Sequence, residues 1–212
     1  MQNAQDQMHQ NMHIGNVPQQ MNHGGHEMFD VHEILSGTIS TLNQYLLLSQ
    51  YVKDPELLDI LNRQYSFIQD EYNLTVECFQ TGQDPSKPTQ SYKMKQNNDF
   101  IYGVKATQPK KPMASVTEIT DEWISSCMLG SVKSGVALKA MAALEVTNPV
   151  VRRVLADSVP NCIEMAYEIS IYQNKHNYYQ IPQLAPQDMQ LMMSSYTHVQ
   201  GQPQMQNNNM TH

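Results

Sequence analysis

The amino-acid sequence predicts an all-α protein: a four-helix bundle made of two antiparallel helical hairpins joined by a long crossover, with disordered tails. Three observations carry this. Four segments within the 212 residues repeat their apolar positions in steps of three and four, the period of a helix buried on one side. Two junctions between them, Asp54-Pro55 and Asn148-Pro149, pair a capping side chain with a proline suited to the first helical position. Charged residues make up only 16% of the chain, and the Gln and Asn that replace them gather at the two ends, so the middle has to supply the core.

The first segment, about 30–52, places Leu35, Ile39, Leu42, Leu46 and Ser49 on one stripe, and Asp30 with Glu33 forms a candidate capping box. The second, about 54–81, opens with Asp54-Pro55-Glu56, which puts acid where the helix dipole is positive. Its stripe is Leu58, Leu61, Tyr65, Ile68, Tyr72, Thr75 and Phe79, and it stops near Gly82. The crossover, 82–116, holds Pro85, Pro88, Pro109 and Pro112 and reads as a connection with no regular structure of its own. The third segment, about 117–146, has Thr117 or Thr120 as its cap. It is rich in small residues, Gly130, Ser131, Ser134, Gly135 and Ala137 among them, which let a neighbouring backbone approach at the expense of helix propensity. The fourth, about 148–177, runs through Val151, Leu155, Cys162, Ala166, Ile169 and Tyr172, and Pro160 inside it predicts a kink.

Laying Pro149 over Pro55 also superposes Leu129 on Leu35, Val136 on Leu42, Val151 on Leu57, Val154 on Ile60 and Leu155 on Leu61, so the hairpin reads as duplicated. Short turns make the helices of each hairpin antiparallel neighbours, while the crossover is long enough to traverse a bundle of ~35–40 Å. One long crossover between two hairpins is the ferritin-like connectivity.

Residues 1–27 form a polar tail whose first 26 positions contain six Gln, four Asn, four Met and four His. Ordering such a chain does not repay ~1–2 kcal/mol of backbone entropy per residue, so it reads as disordered. His9, His13, His23 and His26 raise a metal-binding reading, but a tail without fixed geometry places no ligands. Residues 183–212 repeat the bias and read as mostly disordered, with Met189, Leu191, Met192 and Met193 as a candidate short docking helix.

A net charge of −7 argues against nucleic acid as a partner, because phosphate-backbone binding depends on clustered cations. No apolar run approaches the ~18 residues of a membrane span, and no basic and apolar signal regions open the chain, which reads as soluble. Cys78, Cys127 and Cys162 lie far apart, as ordinary thiols do, and Cys127 with His176 lacks a third orienting group for nucleophilic chemistry. Phosphate-loop, nucleophile-elbow and zinc-helix motifs are absent.

A di-metal bundle of ferritin-like type needs a Glu on each of two helices and Glu-x-x-His on the others. No Glu-x-x-His occurs, and neither Leu35–Val52 nor Ile124–Leu144 contains a carboxylate or histidine. Asp70, Glu71, Glu164 and Glu168 then face two helices without ligands. Mirroring each hairpin about its turn sets Glu33 opposite Glu77 and Glu122 opposite His176, at opposite ends of the bundle, and Lys133 opposite Glu164 as an ion pair. The expectation is an apolar centre with no catalytic, metal-binding or cofactor-binding residues.

The hairpins, the polar tails and the stretch Met165-Ala166-Tyr167-Glu168-Ile169-Ser170-Ile171-Tyr172-Gln173-Asn174-Lys175-His176-Asn177-Tyr178-Tyr179-Gln180-Ile181-Pro182 together resemble the coat F family of bacterial spore coat proteins. The resemblance covers roughly 28–182 and is most specific at the aromatic exit Tyr178–Pro182, where Asn177 stands in place of the family's Gly. Asn is the next best residue for a left-handed helix end. The resemblance implies a ferritin-like fold without a metal centre, made in the mother-cell cytoplasm and deposited in the spore coat among other coat proteins, with homo-oligomers an open option. No catalytic residue comes with it. The polar tails suit many weak contacts, and the eleven tyrosines, Tyr178 and Tyr179 among them, offer cross-linking sites. Two competing readings stand beside it: a di-metal (iron or manganese) oxidoreductase with ligands at Glu33, Glu77, Glu122 and His176, and a small-molecule binder using gaps beside the small residues of the third segment.

Overall fold

The computed structural model describes residues 21–201. Of the expected tails, 1–27 and 183–212, residues 1–20, with His9 and His13, and residues 202–212 lie outside the described residues, and 25–27 belong to the first helix. Among the described residues five α-helices follow in order: α1 Gly25–Ser49, α2 Pro55–Thr81, α3 Asp121–Glu145, α4 Pro149–Lys175 and α5 Pro186–Met193, with a 3-10 turn at Val116–Glu118. The lengths of the four long helices alternate, 25 and 27 residues and then 25 and 27 again. Among the described residues there is no strand, only isolated bridges of Tyr102 and Gly103 with Ile181.

The helix starts are built as their caps dictate. Asp54 Oδ1 accepts from Glu56 N at 2.8 Å, Asn148 Oδ1 from Val150 N at 2.9 Å and Val151 N at 3.2 Å, and Thr120 Oγ1 from Trp123 N at 3.3 Å. Each bond satisfies a first-turn donor that the helix itself leaves open. α2 closes on Gly82 at φ 65°, and the chain leaves α4 through Asn177 at φ 59°, both left-handed. α4 runs unbroken through Pro160. α1 departs from expectation. It begins at Gly25, so Asp30 and Glu33 lie inside the helix and cap nothing; the start is held by Glu27, whose Oε2 accepts from Gly24 N at 3.4 Å.

α1 packs against α2 and α3, α4 packs against α2 and α3, and the diagonal pair α2 and α3 barely touch. The start of α1 meets the α3–α4 turn where Thr147 N and Asn148 N donate to Glu27 Oε2 at 2.9 and 3.0 Å. The far end is tied by Lys53 N to Asp121 Oδ1 at 2.9 Å and by the Tyr172 hydroxyl to Asp54 Oδ2 at 3.0 Å. The apolar core falls into two clusters. One gathers Val31, Ile34, Leu74, Cys78, Ala142, Val151 and Leu155; the other gathers Leu42, Tyr45, Leu57, Leu61, Met128, Met165 and Tyr172.

The buried stripes are shifted from those read in the sequence. On α1 the chain buries Val31, Ile34, Leu42, Tyr45 and Leu48, while Ile39 and Leu46 are exposed. Tyr45 takes the inward position because its hydroxyl finds a buried acceptor, Gln64 Oε1 at 3.1 Å. On α2, Leu57, Ile60, Gln64, Glu71 and Leu74 are buried, and Leu58, Tyr72 and Phe79 are only half-buried.

The crossover has little regular structure, but it is far from loose. It climbs along α4 on side-chain rungs: Asp84 pairs with Arg153, Thr89 Oγ1 donates to Asp157 Oδ2 at 2.8 Å, and Tyr92 N donates to Asn161 Oδ1 at 2.8 Å. Higher up, Lys95 N donates to Glu168 Oε1 at 3.0 Å and Ile101 N to Asn174 Oδ1 at 2.6 Å. Side chains of α4 thus satisfy backbone donors that no strand partner would. α5 forms where a short apolar helix was expected, but it does not dock: it buries no residue and packs on no other helix.

Candidate functional site

The centre of the bundle is polar, which corrects the expectation of an apolar middle. Glu168 on α4 is fully buried, and its carboxylate collects donors from two other elements, α2 and the crossover. Arg63 Nη2 on α2 donates to Oε1 at 2.7 Å, and Gln64 Nε2 donates to Oε2 at 3.3 Å. From the crossover, the Tyr92 hydroxyl and Lys95 N donate as well. Burial alone would weaken the Arg63 cation, but its bonds to Glu168 and to Asp59 outweigh that and raise its pKa. Burial, reinforced by the adjacent Glu168 carboxylate, pushes the Tyr92 phenol up, so it stays a donor.

A second pair lies in the band between the two apolar clusters. Lys139 Nζ on α3 donates to Glu71 Oε2 on α2 at 3.2 Å, across the bundle diagonal, and sits 3.8 Å from Cys162 Sγ on α4. Glu71 Oε1 accepts from Asn161 Nδ2 at 2.8 Å. Burial opposes the Lys139 charge, yet the Glu71 carboxylate prevails and raises its pKa. Cys162 is raised in spite of the ammonium because burial dominates, and burial lifts Cys78 to about 11, so neither is a poised thiolate.

At the end where α1 begins, buried Glu27 accepts from Thr147 N, Thr147 Oγ1 at 2.7 Å and Asn148 N, with His23 Nδ1 2.6 Å from its Oε1. Burial raises this carboxyl, but the bonds from Thr147, His23 and Asn148 overcome it and hold the pKa below its ordinary value. Nearby, exposed His26 lies 2.9 Å from Glu145 and 4.0 Å from Asp30, the one grouping of cation-ligand type among the described residues. At the opposite end Tyr172, His176 and Tyr178 stack, with His176 Nε2 3.4 Å from Asp54.

The residues singled out in the sequence do not converge. Glu33 is exposed, Glu77 accepts from Ser86 N at 2.7 Å, Glu122 pairs with Lys110 at 2.5 Å, and His176 faces Asp54. Lys133 forms no ion pair among the described residues, and Glu164 is half-buried; the lysine of α3 that does pair is Lys139, one and a half turns further on. Tyr178 is tucked into the ring stack, while Tyr179 is exposed. The sequence did hold a signal for the true centre: Lys133 and Lys139 are the two charges in the middle of α3, of which Lys139 is the buried one, and Glu71 is the acid on the buried side of α2.

Between α1 and α3 a cavity of about 510 Å³ opens beside the small residues of α3 and reaches Ile68, Lys139, Cys162 and Met165. α3 is long and apolar enough to cross a membrane by length and composition; in the fold it packs between α1 and α4, with much of its apolar surface uncovered.

Residues 120–182, which span α3, α4 and the aromatic exit, match the family model described as the coat F domain. The chain is 52% identical over 179 residues to the spore coat protein F-like protein YhcQ of Bacillus subtilis (strain 168), an alignment covering 84% of this chain and 82% of that protein. No solved structure matches it.

Proposed function

Because this chain belongs to the coat F family of spore coat proteins, we propose that it is a structural, non-enzymatic component of the bacterial endospore coat, made in the mother-cell cytoplasm and acting by assembly with other coat proteins. The observation that carries the reading is the fate of the buried carboxylates. Glu71 is neutralised by Lys139 and Glu168 by Arg63, both from within the chain. A di-metal bundle offers its central carboxylates to ions; here they bolt helices and crossover together. We read the arrangement as ferritin-like: two antiparallel hairpins of matched helix lengths, joined by the crossover that climbs α4. In this reading the body runs from Gly25, where α1 begins, to 182, and the chain on either side supplies arms. Exposed Leu191, Met192 and Met193 of α5, together with Leu46 and Leu47 of α1, are surface that assembly would cover.

Two measurements test this. A fluorescent fusion followed through sporulation is expected to encircle the forespore; diffuse fluorescence in the mother cell refutes the coat role. Elemental analysis of the purified chain is expected to find no stoichiometric iron or manganese, and either metal at one or two ions per chain would move the reading to the oxidoreductase.

A further inference from the structure

α1 begins at Gly25, so His26, the last histidine of the expected tail, stands in the first turn of a helix. Asp30 follows four positions later, on the same helix face. Glu145, the last residue of α3, comes to meet them. His26 Nδ1 lies 2.9 Å from Glu145 Oε2 and 4.0 Å from Asp30 Oδ2, and one donor atom from each of the three residues falls within 4.8 Å of the others. Two helices thus give fixed places to three donors, which a polar tail by itself does not.

The charge of this trio does not close. Neither carboxylate has a Lys or Arg within ion-pair distance among the described residues; His26 is the neighbour that both share. Even a protonated imidazole balances only one of two carboxylates, so an excess of negative charge remains. That excess sits at the C-terminal end of α3, where the helix dipole is itself negative and the last turn carries no basic residue. The electrostatics call for a cation independently of the ligand geometry.

What separates the trio from an acidic cluster is the imidazole. Carboxylates alone suit calcium or magnesium, whereas a ring nitrogen among the donors favours borderline transition ions such as zinc. Donors bound to one zinc ion at about 2.0–2.2 Å stand roughly 3–3.5 Å apart, so the 4.0 Å gap closes with a small turn of the His26 side chain, which is 71% exposed.

We propose that His26, Asp30 and Glu145 bind one zinc-class divalent ion, with water completing its shell, and that the ion staples the first turns of α1 to the end of α3. The site is separate from Glu71 and Glu168, which keep Lys139 and Arg63 as their partners inside the bundle. The inference also stands apart from the coat role, which a fusion protein tests.

The probe is zinc chloride, titrated into the purified, chelator-treated full chain by calorimetry and thermal melting, with calcium chloride for comparison. Wild type is expected to take up one tightly bound zinc per chain and to melt higher with zinc than without it. His26→Ala and Glu145→Gln, one from each helix, are expected to keep the zinc-free Tm within about 2 °C, because both side chains are exposed. Each is expected to lose at least about tenfold in zinc affinity, together with the zinc-dependent rise in Tm. The double variant His9→Ala/His13→Ala, which removes two tail imidazoles, is expected to keep both. The proposal is overturned if wild type takes up no stoichiometric zinc, if His26→Ala or Glu145→Gln binds zinc as wild type does, if the tight site is lost in the His9→Ala/His13→Ala protein instead, or if calcium binds as tightly as zinc.

Discussion

Replacing Lys139 by Met removes the one cation that pairs with Glu71 among the described residues while keeping the length and most of the volume of the side chain. Both side chains of the pair are about nine-tenths buried, at 10% and 11% exposed, so solvent screens their interaction little. Breaking such a pair from one side costs about 3–5 kcal/mol, because the surviving charge stays buried without compensation. Glu71 would retain Asn161 Nδ2 as a donor, which places the expected loss toward the lower end of that range. For a chain of this size each kcal/mol moves Tm by roughly 2–4 °C, so Lys139→Met is expected to melt about 6–15 °C lower. The double variant Glu71→Met/Lys139→Met removes both charges and is expected to regain most of that, since an apolar replacement of a buried pair is about neutral. Urea or thermal unfolding of wild type, both single variants and the double variant gives the coupling directly. A Lys139→Met protein within about 1 kcal/mol of wild type, or a double variant no better than the worse single, would refute the assignment of this pair as the central bolt.

Four further outcomes follow from the same geometry. Glu27 has a folded pKa below its ordinary 4.5, so its contribution is present above that pH and is lost as pH falls through the folded value; Glu27→Gln should flatten the acid limb of a stability-against-pH curve below about pH 4.5, and an unchanged limb counts against the staple. Lys139 has a folded pKa above 10.5, so its contribution is held below that pH and lost on the alkaline side, a loss that the Glu71→Met/Lys139→Met protein should not display. Tyr92→Phe removes the hydroxyl that bridges the crossover to Glu168 and should cost about 1–3 kcal/mol and speed amide exchange at Tyr92 and Lys95; unaltered exchange there would mean the crossover is held by its other rungs. Leu191→Asp with Met192→Asp should leave Tm within about 1 °C of wild type, since α5 touches no other helix, while reducing incorporation into the coat; a large drop in Tm would show that α5 docks after all.

The legible parts of the sequence were those fixed by short-range chemistry. Asp54, Thr120 and Asn148 cap because a side-chain oxygen reaches an N–H two or three residues away in any surroundings, and Gly82 and Asn177 end helices because few residues tolerate a positive φ. The start of α1 was missed because the real anchor is tertiary: Glu27 is held by Thr147 and Asn148, some 120 positions further along the chain. The coat F resemblance was also local, resting on the run from Met165 to Pro182, and residues 120–182 are where the family model matches.

Which polar residues turn inward was not legible. Periodicity counts apolar positions, so it passed over Gln64, Glu71, Lys139 and Glu168 and put α1's stripe on Ile39 and Leu46, which the fold leaves exposed. A buried charge is tolerable only when its partner arrives from another helix, and that depends on the relative rotation and height of elements far apart in the chain. The sequence by itself determined the four long helices, their ends apart from the start of α1, and the family. Only the packing of α2 against α4, with the crossover laid along them, decided that the middle of the bundle is closed by ion pairs, because the energy of a charge inside a protein belongs to its neighbours and not to its own residue.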